Sequence, residues 1–318
     1  MSPNPVVVFR ASSPAELGQP LQLAFEEALR VNSDGLTFRL QLAPGRFDNV
    51  HLALHDNANK RSETVLIVEG DDGDPARFEG GTVNLMAGRV LIRNLRVTAA
   101  NSEGPILRVT VAHQFLAQDL AFVENVRAGD DLSEPLVALS VGYGSRTARA
   151  VWKRCWFVDN RVETAGPLIE TPKIGRGTFE SFSFQDSVFA NNDADGLFVP
   201  WFTESITFDR CLAHEPKLTG AAFTVRSPLP AISLNASVFE LKASLSAHIA
   251  GPDVSPDAFT PISVQGGALR LKHTSESDLL VVSDLTAVSG VLPERDSADL
   301  RARAFALKPF ALDAEGGV

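Results

Sequence analysis

The stretch Val90-Leu91-Ile92-Arg93-Asn94-Leu95-Arg96-Val97 packs a three-residue apolar strand, a polar pair and a second short strand into eight residues. The figure returns at Phe115-Leu116-Ala117-Gln118-Asp119-Leu120-Ala121-Phe122 and at Ala150-Val151-Trp152-Lys153-Arg154-Cys155-Trp156-Phe157. Three more copies follow: Phe182-Ser183-Phe184-Gln185-Asp186-Ser187-Val188-Phe189, Ile206-Thr207-Phe208-Asp209-Arg210-Cys211-Leu212-Ala213 and Ile232-Ser233-Leu234-Asn235-Ala236-Ser237-Val238-Phe239. A polar pair between two short strands is a tight bend, and Asn or Asp there tolerates the left-handed backbone that such bends often need. An Asn frequently follows three residues after the second strand.

Between copies runs a third strand, usually opened by Pro or Gly: Pro105–Val111, Pro135–Val141, Pro167–Glu170, Gly196–Val199, Ala222–Val225 and Pro261–Val264. Successive copies, counted from Leu95 to Leu120, Cys155, Ser187, Cys211 and Ser237, are offset by 25, 35, 32, 24 and 26 residues. Loop insertions into a stacked repeat produce such variation. Three short strands per repeat without helical spacing cannot form βαβ units. They predict an all-β fold, a parallel β-solenoid with three strands per rung and rungs about 4.8 Å apart. A sandwich of hairpins is the weaker alternative, since two-residue Asn-Gly and Asp-Gly turns are scarce.

The register assigns an inward column, Leu95/Val97, Leu120/Phe122, Cys155/Phe157, Ser187/Phe189, Cys211/Ala213 and Ser237/Phe239. It accounts for much of the Phe content, 20 residues against Trp 3 and Tyr 1. Cys155 and Cys211 share that column two rungs apart, about 9–10 Å, beyond the roughly 7 Å Cα separation that a disulfide permits. Two free, buried thiols are expected.

The opening adds a capped end. Ser13-Pro14-Ala15-Glu16 is a capping-box pattern, and Pro20–Arg30 spaces Leu21, Phe25, Ala28 and Leu29 as a partly buried helix does. Leu23 and Ala24 are expected on the same partly buried face. Leu36–Leu42 and Ala43-Pro44-Gly45-Arg46-Phe47 follow, then Val65–Gly70. In these features the chain resembles the right-handed parallel β-helices of the pectate lyase-like superfamily, over roughly residues 14–285 and at the level of the fold. The resemblance implies an N-terminal cap with an amphipathic helix over 1–35, a parallel β-helix over 36–285, and a C-terminal cap or tail over 286–318. Within that tail, Ser297–Leu307 reads as a short helix with Ser297 as N-cap and Pro309 as its stop.

The formal net charge is −10, from Lys+Arg 29 and Asp+Glu 39. Such a surface repels phosphate backbones, so no nucleic-acid partner is expected, and no apolar run is long enough for a membrane span. The N-terminus shows no secretory signal, which points to the cytoplasm, with leaderless export or assembly-associated delivery left open. Much of the acidity falls on one loop edge: Glu103, Glu124, Asp130, Asp131, Glu134, Asp159, Glu163, Asp193, Asp195 and Glu215 against Arg127, Arg161 and Lys217. Stacked carboxylates are the hard oxygen ligands Ca²⁺ prefers, which makes Asp130, Asp131 and Glu163 candidate metal ligands. A solvated edge that keeps a long stack soluble is the alternative.

In the lyases and hydrolases that the resemblance invokes, activity sits on the outer face of the Pro- or Gly-opened strands. Here that face and its flanking loops offer Glu170, Asp193, Asp195 and Arg226 as catalytic candidates. Arg108, Trp156 and Trp201 are ligand-contact candidates, while Trp152 belongs to the wall. The Asp pair, Gly-His-Gly and Arg-x-Lys motifs of polygalacturonases do not assemble in this sequence, nor do metal spacings such as Cys-x-x-Cys. Two readings therefore stand. The first is a non-catalytic structural or recognition module in a larger assembly, its partner a protein or a polysaccharide. The second is a polysaccharide lyase or glycoside hydrolase with a carboxylate/Arg site.

Overall fold

The computed structural model describes residues 4–271, apart from 33–34, 57–62, 130–133, 143–146, 164–165, 172–176, 201–202, 216, 220–222, 224–230, 242–261 and 266–267. All the strand pairings are parallel, and those of the large sheet sort into three ladders. The first begins Val6–Ala11, Thr37–Leu42, Val65–Glu69 and continues through Thr147–Lys153, Thr178–Gln185, Ser205–Asp209 and Ala231–Asn235 to Ile262–Gln265. The second runs from Gly45–Asp48 and Ala76–Glu79 through Trp156–Val158, Val188–Ala190, Leu212–Glu215 and Val238–Leu241 to Ala268–Leu271. The third holds His51–His55, Val137–Val141, Pro167–Thr171 and Gly196–Pro200. Two 17-residue strands, Thr82–Thr98 and Leu107–Val123, pass through all three ladders in turn, bending without losing their pairing. The arrangement is consistent with the expected all-β solenoid.

The bends fall where the polar pairs stand. Asn94, Asp119, Arg154, Asp186, Arg210 and Ala236, the second member of each pair, have φ between 47 and 54°. Gly70 occupies the corresponding bend one rung earlier, and its lack of a side chain is required: a Cβ there would lie 2.1 Å from the Asn94 carbonyl oxygen.

The inward column is as the register predicts. Leu95, Val97, Leu120, Phe122, Cys155, Phe157, Ser187, Phe189, Cys211, Ala213, Ser237 and Phe239 are all buried. Phe122, Phe157 and Phe189 stack with centroids 5.2 and 5.0 Å apart, and Trp152, Phe184 and Phe208 make a second stack at 5.9 and 4.9 Å. Each buried ring contributes about 1.5–3 kcal/mol through removal from water. Trp152 is fully buried in the wall. Both cysteines are free and buried.

The N-terminal end departs from the expectation in two respects. The first ladder starts at Val6–Ala11, ahead of the helix, because this β-branched run pairs with Thr37–Leu42. The capping box closes a 3₁₀ turn, Pro14–Leu17, with Glu16 Oε2 accepting the Ser12 and Ser13 N–H groups. The α-helix Gln19–Val31 then starts after Gly18 and buries Leu21, Phe25 and Ala28, with Phe25 edge-on to Phe38 at 4.9 Å, whereas Leu23, expected on the buried face, is exposed because it falls on the opposite side of the helix. No described helix is long and apolar enough to cross a membrane.

Candidate functional site

Where the chain leaves the second ladder for the third, a fourth, two-residue ladder forms from Asn101–Ser102, Val126–Arg127 and Arg161–Val162. It is held from inside by a column of buried asparagines. Asn125 Oδ1 accepts the Ala100 N–H, and Asn125 Nδ2 donates to the Val97 carbonyl. Asn160 Oδ1 accepts both the N–H and Nδ2 of Asn125, and Asn192 Oδ1 accepts both from Asn160. Glu215 ends the column: its Oε2 accepts the Asn192 N–H at 2.7 Å and its Oε1 accepts Nδ2 at 2.6 Å. The three asparagines and Glu215 are at most 1% exposed. Burial pushes the Glu215 carboxyl up to about 8, against the opposing pull of the Asn192 hydrogen bonds.

Outside this column the loops open a cleft of about 840 Å³, lined by Asn101, Glu103, Gly104, Ala128, Gly129, Glu134 and Glu163. The backbone lines it closely, since a Cβ at Gly129 would approach the Glu103 carbonyl oxygen to 2.7 Å. Each of three successive loops contributes one glutamate. Glu134 is paired with Arg108 Nη2 at 3.1 Å, and Glu163 lies 3.6 Å from Arg161 Nη2. Arg127, fully buried, precedes the lining residues Ala128 and Gly129, and its Nη1 donates to the Gly129 carbonyl at 3.4 Å. The cleft is thus acidic at its wall with guanidinium groups set among the carboxylates. Such a wall accepts hydrogen bonds from hydroxyl or ammonium groups.

The candidates singled out from the sequence are distributed as follows. Arg108, Ala138, Glu170 and Val199 occupy one column of the third ladder, so Arg108 and Glu170 stand two rungs apart with Ala138 between them. Arg108 reaches the cleft through Glu134. Asp193 and Asp195 lie between Val188–Ala190 and Gly196–Pro200; Asp195 Oδ1 accepts the Thr219 hydroxyl at 3.3 Å, and its N–H donates to the Gly166 carbonyl. The path from Gly166 to Glu170 is four residues, about 13 Å of strand, which sets Asp195 well apart from Glu170 at the backbone. Trp201 and Arg226 lie outside the described residues. Trp156 points outward, as the alternation requires, yet is only 6% exposed.

Of the calcium candidates, Glu163 lines the cleft, while Asp130 and Asp131 lie outside the described residues. Among the described residues no group of three or more His, Cys, Asp or Glu side chains is placed to hold a metal ion. Glu103 and Glu134 belong to the acidic edge expected from the sequence but not to the site residues expected from it. The available signal is placement: Glu103, Glu134 and Glu163 each stand a few residues before a Pro-opened strand, at Pro105, Pro135 and Pro167.

A scan against protein-family models finds no match for this chain, and a search of the curated proteins finds none either.

Proposed function

We propose that this chain is a right-handed parallel β-helix of the pectate lyase-like kind that acts as a recognition module, with the cleft at Glu103, Glu134 and Glu163 as its binding site. One observation carries the reading: a glutamate recurs in three successive loops and lines a single cleft. Stacked strands repeat about every 4.8 Å, so the cleft offers carboxylate acceptors at rung-like intervals to an extended ligand. Glycan hydroxyls or the ammonium groups of a basic protein segment supply matching donors. The ladders behind the loops fix the spacing before binding, so little ordering of the site opposes association.

Titration calorimetry with neutral and acidic oligosaccharides and with a lysine-rich peptide tests this, using the native chain and an E103Q/E134Q/E163Q variant. Binding that weakens at least tenfold in the triple variant is the expected result. If every probe binds both proteins equally, or none binds the native chain, the reading fails.

A second reading, a polysaccharide lyase or hydrolase, draws on the pairing of Arg108 with Glu134 at the cleft. A base beside a carboxylate is part of what proton abstraction from a uronate requires. Release of unsaturated products from a polysaccharide panel, with and without Ca²⁺, and its loss in R108A would favour that reading over the first.

A further inference from the structure

Val6–Ala11 begins the first ladder and pairs on one side, with Thr37–Leu42. The Pro5 carbonyl accepts the Thr37 N–H at 2.9 Å, and the Ala11 carbonyl accepts the Ala43 N–H at 2.8 Å. Backbone groups alternate in direction along a strand as side chains do. Pro5, Val7, Phe9 and Ala11 therefore face Thr37–Leu42, while Val6, Val8 and Arg10 turn their N–H and C=O groups to the other edge. Among the described residues no backbone group pairs with those six. The side chains are uncovered too. Val6 and Val8 are 60% and 48% exposed, and the inward Val7 and Phe9 are only half-buried, although their partners Phe38 and Leu40 one rung in are fully buried. The other large hydrophobic residues exposed among the described ones, Leu23 and Val31, lie on the cap helix that follows this strand. A β-branched edge with a row of unpaired backbone groups is a template for another strand.

We propose that Val6–Ala11 pairs antiparallel with the same strand of a second copy, about a two-fold axis at Val8. The occupant and the register follow from self-complementarity. In an antiparallel ladder, each hydrogen-bonded pair of residues exchanges both of its bonds. With Val8 opposite the partner's Val8, Val6 meets the partner's Arg10 and Arg10 meets the partner's Val6, so every open N–H on either copy finds an open C=O on the other. The same register sets Val7 and Phe9 against the partner's Phe9 and the partner's Val7. A β-branched residue opposite an aromatic one is a favourable cross-strand pair, and here it occurs twice. The two Arg10 side chains fall four residues apart along the ribbon, about 13 Å at 3.3 Å per residue. Centring the pair on Arg10 instead sets like charges side by side, and centring it on Val6 runs Val8 and Arg10 past the end of the partner's strand. Because both copies use the same patch, the contact closes as a dimer and does not propagate.

The test measures the mass of the full chain by light scattering after gel filtration, over a series of concentrations. The native chain should approach twice 34.1 kDa as concentration rises. Val8→Pro removes an N–H that faces the open edge and leaves the bonds to Thr37–Leu42 in place, so this variant should stay folded, with inaccessible Cys155 and Cys211 thiols, and have half the native mass. Val8→Cys should form a disulfide between copies, because Cα atoms in a hydrogen-bonded antiparallel pair lie about 5.5 Å apart. Val6→Cys, at least about 13 Å from the same residue of the partner, should not. A native chain that stays monomeric throughout overturns the inference. So does a dimer that Val8→Pro leaves intact, or one in which Val6→Cys cross-links as readily as Val8→Cys. The cysteine pair decides the matter if Val8→Pro fails to fold. Protection of the Val8 amide from hydrogen exchange in a monomeric native chain also overturns it, since a strand other than a second copy's then holds the edge.

Discussion

Glu215 takes the place of an asparagine beneath Asn192, accepting with two oxygens the backbone and side-chain N–H groups that one amide oxygen accepts in the rungs above. The substitution has a geometric reason. Ala190 pairs with His214, but Asn191 intervenes before Asn192 with φ 57°, whereas Glu215 follows His214 directly. The rung is one residue shorter, and the longer Glu side chain spans the difference. A carboxyl group has no N–H to pass on, so the column ends here.

This makes stability depend on pH in a defined direction. The folded carboxyl is raised to about 8 from 4.5, so the folded state binds a proton that the unfolded state has released between those values. Its contribution is complete below about pH 4.5 and is lost as pH rises through 8, on the order of 5 kcal/mol at about 1.4 kcal/mol per pH unit. Asp186, held low chiefly by its hydrogen bond to Arg210, acts oppositely and loses its contribution as the solution becomes strongly acidic. Urea melts from pH 5 to 9 should show falling stability in the native chain and a flatter profile in E215Q. Parallel profiles would exclude Glu215 as the source.

Asn160 uses its whole amide: Oδ1 accepts twice from Asn125, and Nδ2 donates to the Phe122 carbonyl and to Asn192 Oδ1. Asn160→Asp keeps the shape but turns both donated bonds into contacts between acceptors. Leaving buried polar groups unmatched costs about 1–3 kcal/mol each, so a loss of about 3 kcal/mol or more is expected in denaturant melts. A loss below about 0.5 kcal/mol would mean that the column does not hold the rungs.

The repeat was legible because each of its parts has a local physical cause. Polar pairs mark bends, and all six second members adopt the left-handed backbone. Period-two alternation marks Phe122, Phe157 and Phe189 as inward and Trp156 as outward. It does not say what lies over an outward residue, so the hiding of Trp156 was not readable. Val6–Ala11 was missed because it stands outside the repeat, with the helix between it and its partner strand. Glu215 was hidden by the missing residue before it, which breaks the Asn spacing. The cleft depends on how three loops of different length fold, which the position of Glu103, Glu134 and Glu163 ahead of the Pro-opened strands does not fix.

Ala236 has φ 47° where the equivalent bend one rung earlier carries Arg210 at 53°. A residue with a Cβ loses about 1–2 kcal/mol in this conformation, and Gly avoids that at an entropic cost of about 0.5–1 kcal/mol. Ala236→Gly should therefore raise stability by up to about 1 kcal/mol, while Ala236→Val should lower it by more than that. Thermal melts of the two variants decide it: equal effects would argue against a left-handed bend at this position.

The thiols of Cys155 and Cys211 share their column with the Ser187 and Ser237 hydroxyls. Cys155 Sγ meets the carbonyls of Ala117 and Lys153, and Cys211 Sγ those of Phe184 and Asp209. Ser237 Oγ donates to the Phe208 and Asn235 carbonyls, the equivalent pair one rung on. A serine hydroxyl thus fits where each thiol stands, and Cys155→Ser should cost no more than about 1 kcal/mol, an isosteric change that keeps a hydrogen-bond donor. Burial pushes both thiols up to about 12, so at pH 8 only about one in ten thousand is thiolate, the reactive form. A chromogenic disulfide reagent should titrate no thiol in the native chain and two in denaturant. Rapid reaction of either cysteine under native conditions would place it outside the inward column and break the register on which the whole stack is built.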